Sequence, residues 1–289
     1  MKATISFLLP TRGRPRLAER FLASVISRSD IPSAVEAILY VDEDDPDSLD
    51  IRGGALHVVR IVGPKMTMGT YNMACLARAS GDIVILANDD MVVRTQGWDS
   101  KIRQMDEALP DKIYLAYPDD CLKGRRLSTF PILSRRTCEL LTEPFPTLYN
   151  GAFIDYHLMD VFMRLRACGY DRFRFLQNVV FEHLHYRTGK ATKDETYTAR
   201  SRFADDRTFL ELAPLRAEQS NRLLHALKEP GFRGTFVDSV ELSPKPNSLA
   251  GLYFSLATDA GLPIVWRLRL LIWILARFAY KKMTSALKA

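Results

Sequence analysis

Short apolar runs separated by amphipathic stretches dominate the first half of this chain. Ala3 to Leu9 reads as a strand, Pro10 to Pro15 as a loop and Leu17 to Ser27 as a helix. Val35 to Val41 is a second, mostly apolar run ending in the acidic loop DEDDPD, and Leu56 to Val62 is a third strand. Gly69 to Ala79 has helical spacing, and Asp82 to Ala87 is an apolar strand ending at Asn88. Runs this short and apolar, with helices between them, predict βαβ units around a buried parallel sheet. The second half is less regular. Lys112 to Tyr117 and Thr129 to Leu133 read as strands, and Ser134 to Leu141 as a helix. Tyr156 to Ala167 is a strong helix ending at Gly169, with Asp155 placed as its N-cap. Phe173 to Phe181 is a strand leading into EHLHY, residues 195–228 are helical and charged, and the Gly- and Pro-containing stretch from Glu229 to Pro246 reads as a linker. The expected fold class is α/β: a mostly parallel sheet flanked by helices, with a C-terminal helical extension. The expected division is a sheet domain over 1–195, a helical extension and linker over 196–246, and a basic, apolar helix over 247–289.

In open sheets of this kind ligands bind beyond the carboxyl ends of the strands. Three unusual loops fall there: PTRGR after the first strand, DEDDPD after the second and NDD after the strand at 82–87. Two carboxylates and a carboxamide at a strand end, Asn88-Asp89-Asp90, suit Mg²⁺ or Mn²⁺ with positions left for water and phosphate oxygens. Thr11, Arg12 and Arg14 suit phosphate or ribose contact, and an acid of the run Asp42, Glu43, Asp44, Asp45 suits a base N–H or a ribose hydroxyl. In the segment KMTMGTYN, from Lys65 to Asn72, Gly69 and Asn72 in the first turn of a helix allow close approach of a ligand, or mark helix initiation alone. His183 and His185, two apart in an extended segment, share a face, where one can complete a metal site begun by Asp90. Asp155 and Asp160 are each placed to act as a general base. The plainer reading is N-capping for Asp155 and an ion pair with Arg164, four residues on, for Asp160.

Composition narrows the picture. The 289 residues are 47% hydrophobic and 26% charged, which allows a sizeable core without disulfide or metal support. The net charge of +6 suits an anionic ligand or lipid surface, but outside the C-terminus the basic residues are scattered. No basic stripe with interleaved aromatics points to nucleic acid. The four cysteines, Cys75, Cys121, Cys138 and Cys168, form no CxxC pair and are expected to be reduced and mostly buried. With no signal-peptide pattern at the N-terminus, a cytoplasmic setting is expected. Neither GxGxxG nor a P-loop is present, which argues against a dinucleotide oxidoreductase. Ile264 to Met283 is rich in Trp, Leu and Phe and carries five basic residues, Arg267, Arg269, Arg277, Lys281 and Lys282. Its longest apolar stretch, Leu270 to Ala276, falls short of the roughly 20 residues a membrane span needs. It suits an interfacial position on the inner face of an anionic membrane, or packing on its own domain or a second chain.

Taken in order, these residues resemble the GT-A (Rossmann-like) glycosyltransferases, in particular glycosyltransferase family 2, over roughly residues 3–190. Pro10, Thr11, Arg12 and Arg14 match that family's first loop, Asp42 or Asp44 its base-contacting acid, and Asn88-Asp89-Asp90 its DXD motif, with Asn in the place of the first Asp. By that match Asn88 faces the ribose and Asp90 the metal. Arg164, Arg166, Gly169 and Tyr170 match the end of its catalytic helix. Counting back puts Asp160 on the last acid of E-D-x-D-L, while the usual Glu-Asp pair falls on His157 and Leu158. His183 or His185 matches the histidine that completes the metal site. The resemblance implies transfer of a sugar, with inversion, from a nucleotide-diphosphate sugar, by prior a UDP-sugar. It implies Mn²⁺ or Mg²⁺ as cofactor and a glycan, lipid-linked or other hydroxyl acceptor. Two competing readings are a sugar nucleotidyltransferase, which wants a Gly-rich loop where this chain has PTRGRPR, and a non-catalytic nucleotide-sugar or glycan-binding protein of the same fold.

Overall fold

A computed structural model describes residues 2–186, 189–190, 203–229, 231–232 and 248–286. The linker expected over 229–246 lies outside these apart from Glu229, Gly231 and Phe232, as does the start of the helical stretch expected from 195.

One eight-stranded sheet organises the chain, in the order β3-β2-β1-β4-β7-β6-β8-β5. The strands are β1 (Ile5–Thr11), β2 (Val35–Asp42), β3 (His57–Gly63), β4 (Ile83–Leu86), β5 (Met91–Val93), β6 (Leu115–Asp119), β7 (Ile132–Ser134) and β8 (Phe173–His183). β3, β2, β1 and β4 run parallel, β7 runs antiparallel between β4 and β6, and β8 is parallel to β6. As a result β1, β2, β3, β4, β6 and β8 all point their carboxyl ends at one edge. Only β7 and the short edge strand β5, antiparallel to β8, run the other way.

The strands read as continuous apolar runs because both faces are covered. Ile5, Phe7 and Leu9 of β1 pack with α1 (Pro15–Arg28) and the Trp98 end of α4 (Trp98–Glu107). On the opposite face, Leu8, Ile38, Val84 and Leu133 join α5 (Arg135–Leu141) and α6 (Ile154–Ala167). The remaining helices are α2 (Pro46–Leu49), α3 (Met68–Arg78), α7 (Asp206–Glu211), α8 (Ala213–Lys228), α9 (Leu249–Thr258) and α10 (Ile264–Ala286).

Two elements, β5 and α4, carry no clear signal in the apolar pattern. The inward face of α4 is largely polar: Asp99, Arg103 and Asp106 are buried beside Trp98 and Ile102. Asp99 accepts the Asp30 and Ile31 N–H groups (2.8 and 3.0 Å) and the Arg103 Nη1 donor (2.6 Å). The helix starts at Gly97, whose φ of 65° a side chain would strain.

The start of α6 differs from expectation. The N-cap is Phe153, not Asp155, although Asp155 Oδ1 accepts the first-turn Tyr156 N–H (2.8 Å), and the loop leading into the helix is held from far along the chain. The buried Asp205 carboxylate accepts the backbone N–H groups of Asn150 (2.9 Å), Gly151 (3.0 Å) and Ala152 (2.8 Å).

The C-terminal helix is part of the core. Trp266, Leu270 and Ile274 of α10 are buried in the same cluster as α6 and α8. Among the described residues, no helix is long and apolar enough to cross a membrane. No cysteine is disulfide-bonded; Cys75 and Cys138 are buried, while Cys121 and Cys168 are exposed, so only half of them match the expected burial.

Replacing Asp205 by Ala strands three N–H groups in the loop that leads into α6. Denaturant unfolding is expected to show a loss of about 3 kcal/mol; an unchanged midpoint would refute this long-range anchor.

Candidate active site

The ends of β1 and β4 are locked to each other. Thr11 Oγ1 donates to Asp89 Oδ2 and Arg14 Nη1 to Asp89 Oδ1, both at 3.0 Å, and all three side chains are buried. Burial raises the Asp89 carboxyl above its usual range, against the pull of Arg14. Thr11 and Arg14, expected to face phosphate or ribose, thus bind the NDD turn and set its shape. Asn88 is exposed at the rim, and its carbonyl accepts the Met91 N–H (3.1 Å).

The end of β2 forms a second cluster. Asp42 accepts from Arg12 Nη1 and from the Tyr71 hydroxyl, each at 2.6 Å. Arg12 also donates to Asp44 through Nη2 (2.8 Å), and Gly13 N–H donates to Asp45 (2.6 Å). The hydrogen bonds to Asp44 and Asp42 raise the Arg12 pKa, and Arg12 holds the Asp44 carboxyl below its usual range. Lys65, exposed in the loop after β3, adds to that lowering. Pro10, one residue before the end of β1, pairs with Tyr40 of β2. The Tyr40 and Tyr71 rings lie 4.7 Å apart. Burial and the bond to Asp42 raise the Tyr71 pKa, so its hydroxyl stays protonated as a donor. The half-buried Tyr71 ring, backed by the buried Tyr40 and beside a carboxylate and a guanidinium, suits a flat, hydrogen-bonding ligand such as a nucleobase. Neither Tyr40 nor Tyr71 was singled out in the sequence, although Tyr71 lies within the segment that carries Gly69 and Asn72.

Gly69 and Asn72 belong to packing. A Cβ on Gly69 would come within 2.0 Å of the Pro146 carbonyl oxygen, and its N–H donates to Tyr149 O (3.0 Å). The close approach that Gly69 allows is therefore taken by the chain's own 146–149 loop. Asn72 is buried, and its Nδ2 donates to Met68 O (2.9 Å) inside α3.

The third cluster joins the NDD turn to the end of β8. His183 Nε2 lies 3.2 Å from Asp90 Oδ2, and both residues are buried. Leu184 N–H donates to Asp90 O (2.9 Å), and His183 N–H to Asp120 O (3.0 Å). Asp120 is a further buried acid that the sequence did not flag. Its Oδ1 accepts the N–H groups of Leu122 (3.0 Å), Lys123 (2.6 Å) and Gly124 (2.8 Å), and its Oδ2 accepts from Thr129 (2.7 Å). The His183 Nδ1 atom is buried without a hydrogen-bond partner among the described residues. His185 stacks edge-on against His183 (centroids 5.1 Å apart) and beside Tyr186, and no set of three metal-ligating side chains occurs among the described residues. A buried imidazole and carboxylate at one strand end fit a divalent ion held by two protein ligands, the other positions left to water and phosphate oxygens. One nitrogen donor suits Mn²⁺ better than the oxygen-demanding Mg²⁺.

The two candidate bases part company. Asp160 is fully buried, and its Oδ2 accepts from Arg164 (3.0 Å) and Arg216 (2.7 Å) and its Oδ1 from Trp266 Nε1 (3.0 Å). Burial opposes its charge, but Arg216 and Arg164 outweigh burial and hold the carboxyl below its usual range. Both oxygens of this carboxylate are thus engaged by donors inside the core. His157 is also inward, between the Tyr149 hydroxyl (3.0 Å) and Gln219 (2.8 Å), and burial pushes its pKa down to about 3. Asp155, in the first turn of α6, is different: burial raises its carboxyl to about 6. Its main-chain oxygen accepts from Ser128 Oγ (3.3 Å), beside the Thr129 that binds Asp120, and Lys123 and Asp120 both act on its charge. Asp155 therefore belongs to the same edge as the Asp90–His183 pair.

Solved structures share this architecture. No family model matches the chain, and no curated protein matches it in sequence. Mannosyltransferase PcManGT from Pyrobaculum calidifontis, in complex with GDP-Man and Mn²⁺, superposes with a TM-score of 0.51 at 14% identity, over 98% of this chain and 88% of that one. S. aureus TarS 1-349 in complex with UDP-GlcNAc gives a TM-score of 0.52 at 13% identity, over 90% of this chain and 82% of that one. The chain has the GT-A fold. It spans 36% of the longer S. aureus TarS chain.

Arg14 is expected to matter through Asp89. Burial raises the folded-state pKa of Asp89, so its ionisation costs stability as pH rises through that pKa, and losing Arg14 enlarges the cost. Arg14→Ala should lower unfolding free energy by about 3 kcal/mol at pH 7 and by clearly less at pH 4. Equal losses at both pH values would contradict this.

Proposed function

We propose that the chain is a glycosyltransferase that moves a sugar from a nucleotide-diphosphate sugar to an acceptor hydroxyl, by a single displacement with inversion. The observation that carries this reading is the Asp90–His183 pair on the same strand-end edge as the Asp42–Arg12–Tyr71 cluster and Asp155. The GT-A fold supports it, and the GDP-Man, UDP-GlcNAc and Mn²⁺ of the neighbouring structures supply the donor and cofactor classes. A UDP-sugar is the favoured donor, and a glycan or a lipid-linked hydroxyl the favoured acceptor. The setting we favour is cytoplasmic, peripheral on the inner face of a membrane.

Each cluster then has a task. Tyr40, Tyr71 and Asp42 hold the base and ribose, with Arg12 and Lys65 as the nearby cations. Thr11, Arg14 and Asp89 keep the NDD turn rigid, with Asn88 at its rim. Asp90 and His183 hold the divalent ion, Mn²⁺ before Mg²⁺, which when bound offsets the charge of the departing diphosphate. Asp155 accepts the proton of the attacking hydroxyl, whose oxygen bonds to the anomeric carbon as the bond to the diphosphate breaks. A carboxyl with a pKa of about 6 is charged at neutral pH yet basic enough to accept a proton.

A binding-only protein is the second reading. Two observations favour it: the family's acid position is spent in the Asp160 network, and its usual Glu-Asp pair is His157-Leu158. Turnover separates the two. With Mn²⁺ and a panel of UDP- and GDP-sugars, release of nucleotide diphosphate is expected, with an acid limb in kcat/KM near pH 6 and a loss of about 100-fold in Asp155→Asn. Because the raised Asp155 pKa costs stability above pH 6, the same variant should be more stable than wild type at pH 8. Nucleotide binding with no turnover of any donor would favour the second reading.

A further inference from the structure

The helix α10 is apolar on two faces. Trp266, Leu270 and Ile274 are buried against the core, as described above. Ile264, Val265, Leu268, Ile272, Leu275 and Met283 are exposed, Val265 at 76% and Ile272 at 67%. At 3.6 residues per turn these six fall within about a 100° arc, a continuous apolar stripe. Scattered exposed apolar residues are ordinary, but a contiguous stripe beside polar groups marks a binding surface.

Val265, Leu268 and Ile272 of that stripe belong to one wall of a groove of about 700 Å³. Leu268, Ile272 and Trp273 line it from α10, and Lys123 and Arg126 face them from the loop that Asp120 caps. Arg269 bridges the walls by donating to Arg126 O (2.7 Å). Lys123, Arg126 and Arg269 give three positive charges, and no carboxylate is among the lining residues. The α10 wall runs from Val265 to Ala276, about 17 Å along the helix axis. Tyr156, next to Asp155, lies in the floor. An apolar trough with a cationic rim at one side is complementary to a molecule with one hydrocarbon chain and an anionic head.

We infer that this groove binds an anionic lipid, its chain along Leu268, Ile272 and Trp273 and its head at Lys123, Arg126 and Arg269. Resting on the transferase reading, the bound lipid is the acceptor. The Asp120 loop carries Lys123 at the groove, accepts the His183 N–H at its start, and through Lys123 acts on the charge of Asp155, so a hydroxyl on the head group is delivered toward the base.

Dodecyl phosphate, kept below its micelle-forming concentration, is the probe, and calorimetric titration of the full chain is the measurement. Saturable binding is expected, at least tenfold tighter than that of uncharged dodecyl maltoside and with no binding of inorganic phosphate alone. Two double variants on exposed positions, Leu268→Asp with Ile272→Asp and Lys123→Gln with Arg126→Gln, should each weaken it at least tenfold. Both should keep the wild-type thermal shift with UDP and Mn²⁺. Absence of saturable binding, equal affinity for dodecyl maltoside, or full affinity in both variants overturns the inference. A chain that shifts with nucleotide but binds no dodecyl phosphate sinks the lipid groove alone. One that binds dodecyl phosphate but no nucleotide supports the groove and sinks the transferase reading.

Discussion

Two backbone hydrogen bonds hold the working edge of this protein together: Leu184 N–H to Asp90 O and His183 N–H to Asp120 O. The first joins the end of β8 to the turn after β4, although β7 and β6 lie between these strands in the sheet, and the second joins it to the end of β6. Both extend the β5–β8 pairing, which sets Met91, directly after the NDD turn, opposite His183. With them Asp90 and His183 face each other, and the loop from Asp120 to Thr129 is drawn into the same edge. Asp120 secures that loop through a carboxylate that is almost fully engaged, so the Asp90–His183 pair, the cationic rim and the environment of Asp155 share one support.

A second constraint sits behind α6. The buried Asp160 gathers Arg164, Arg216 and Trp266 from α6, α8 and α10. Buried ion pairs add little net stability but are costly to break, so they fix which elements meet. Here the network seats the C-terminal helix on the core and leaves its opposite, apolar stripe outward. A single helix thereby serves the core on one face and the groove on the other. The position that the sequence match sets against the family's acid is the bolt for this arrangement, and the proposed function gives proton acceptance to Asp155 in the turn before it.

Much of this was legible in sequence because it is local. Each of β1, β2 and β4 is an apolar run followed at once by its own polar loop, so the edge and most of its side chains could be named in advance. Asp90, and His183 with His185 as its alternative, were named from their places at strand ends. What was not legible depends on contacts distant in sequence. Asp205 anchors the loop into α6 from 55 residues beyond Asn150, and nothing near α6 announces it. Asp160 and Trp266 are 106 residues apart, and nothing near either announces the other. Gly69 serves the loop at Pro146, a purpose that spacing within α3 cannot reveal. The helix α4 hides its period because acids and an arginine occupy its inner face. Thr11 and Arg14 were placed at the right edge, but their bonds to Asp89, 78 and 75 residues away, carry no signal in the sequence near either.

The central claim is that Asp90 and His183 hold a divalent ion together with a nucleotide diphosphate. Electron paramagnetic resonance of free Mn²⁺ measures this directly, as protein and UDP or GDP are added together and separately. The account predicts that wild-type protein removes the free Mn²⁺ signal more strongly with nucleotide than without, and that Asp90→Ala and His183→Ala each abolish the gain. Mn²⁺ uptake that is the same in both variants as in wild type, or absent from wild type with every nucleotide, would contradict it.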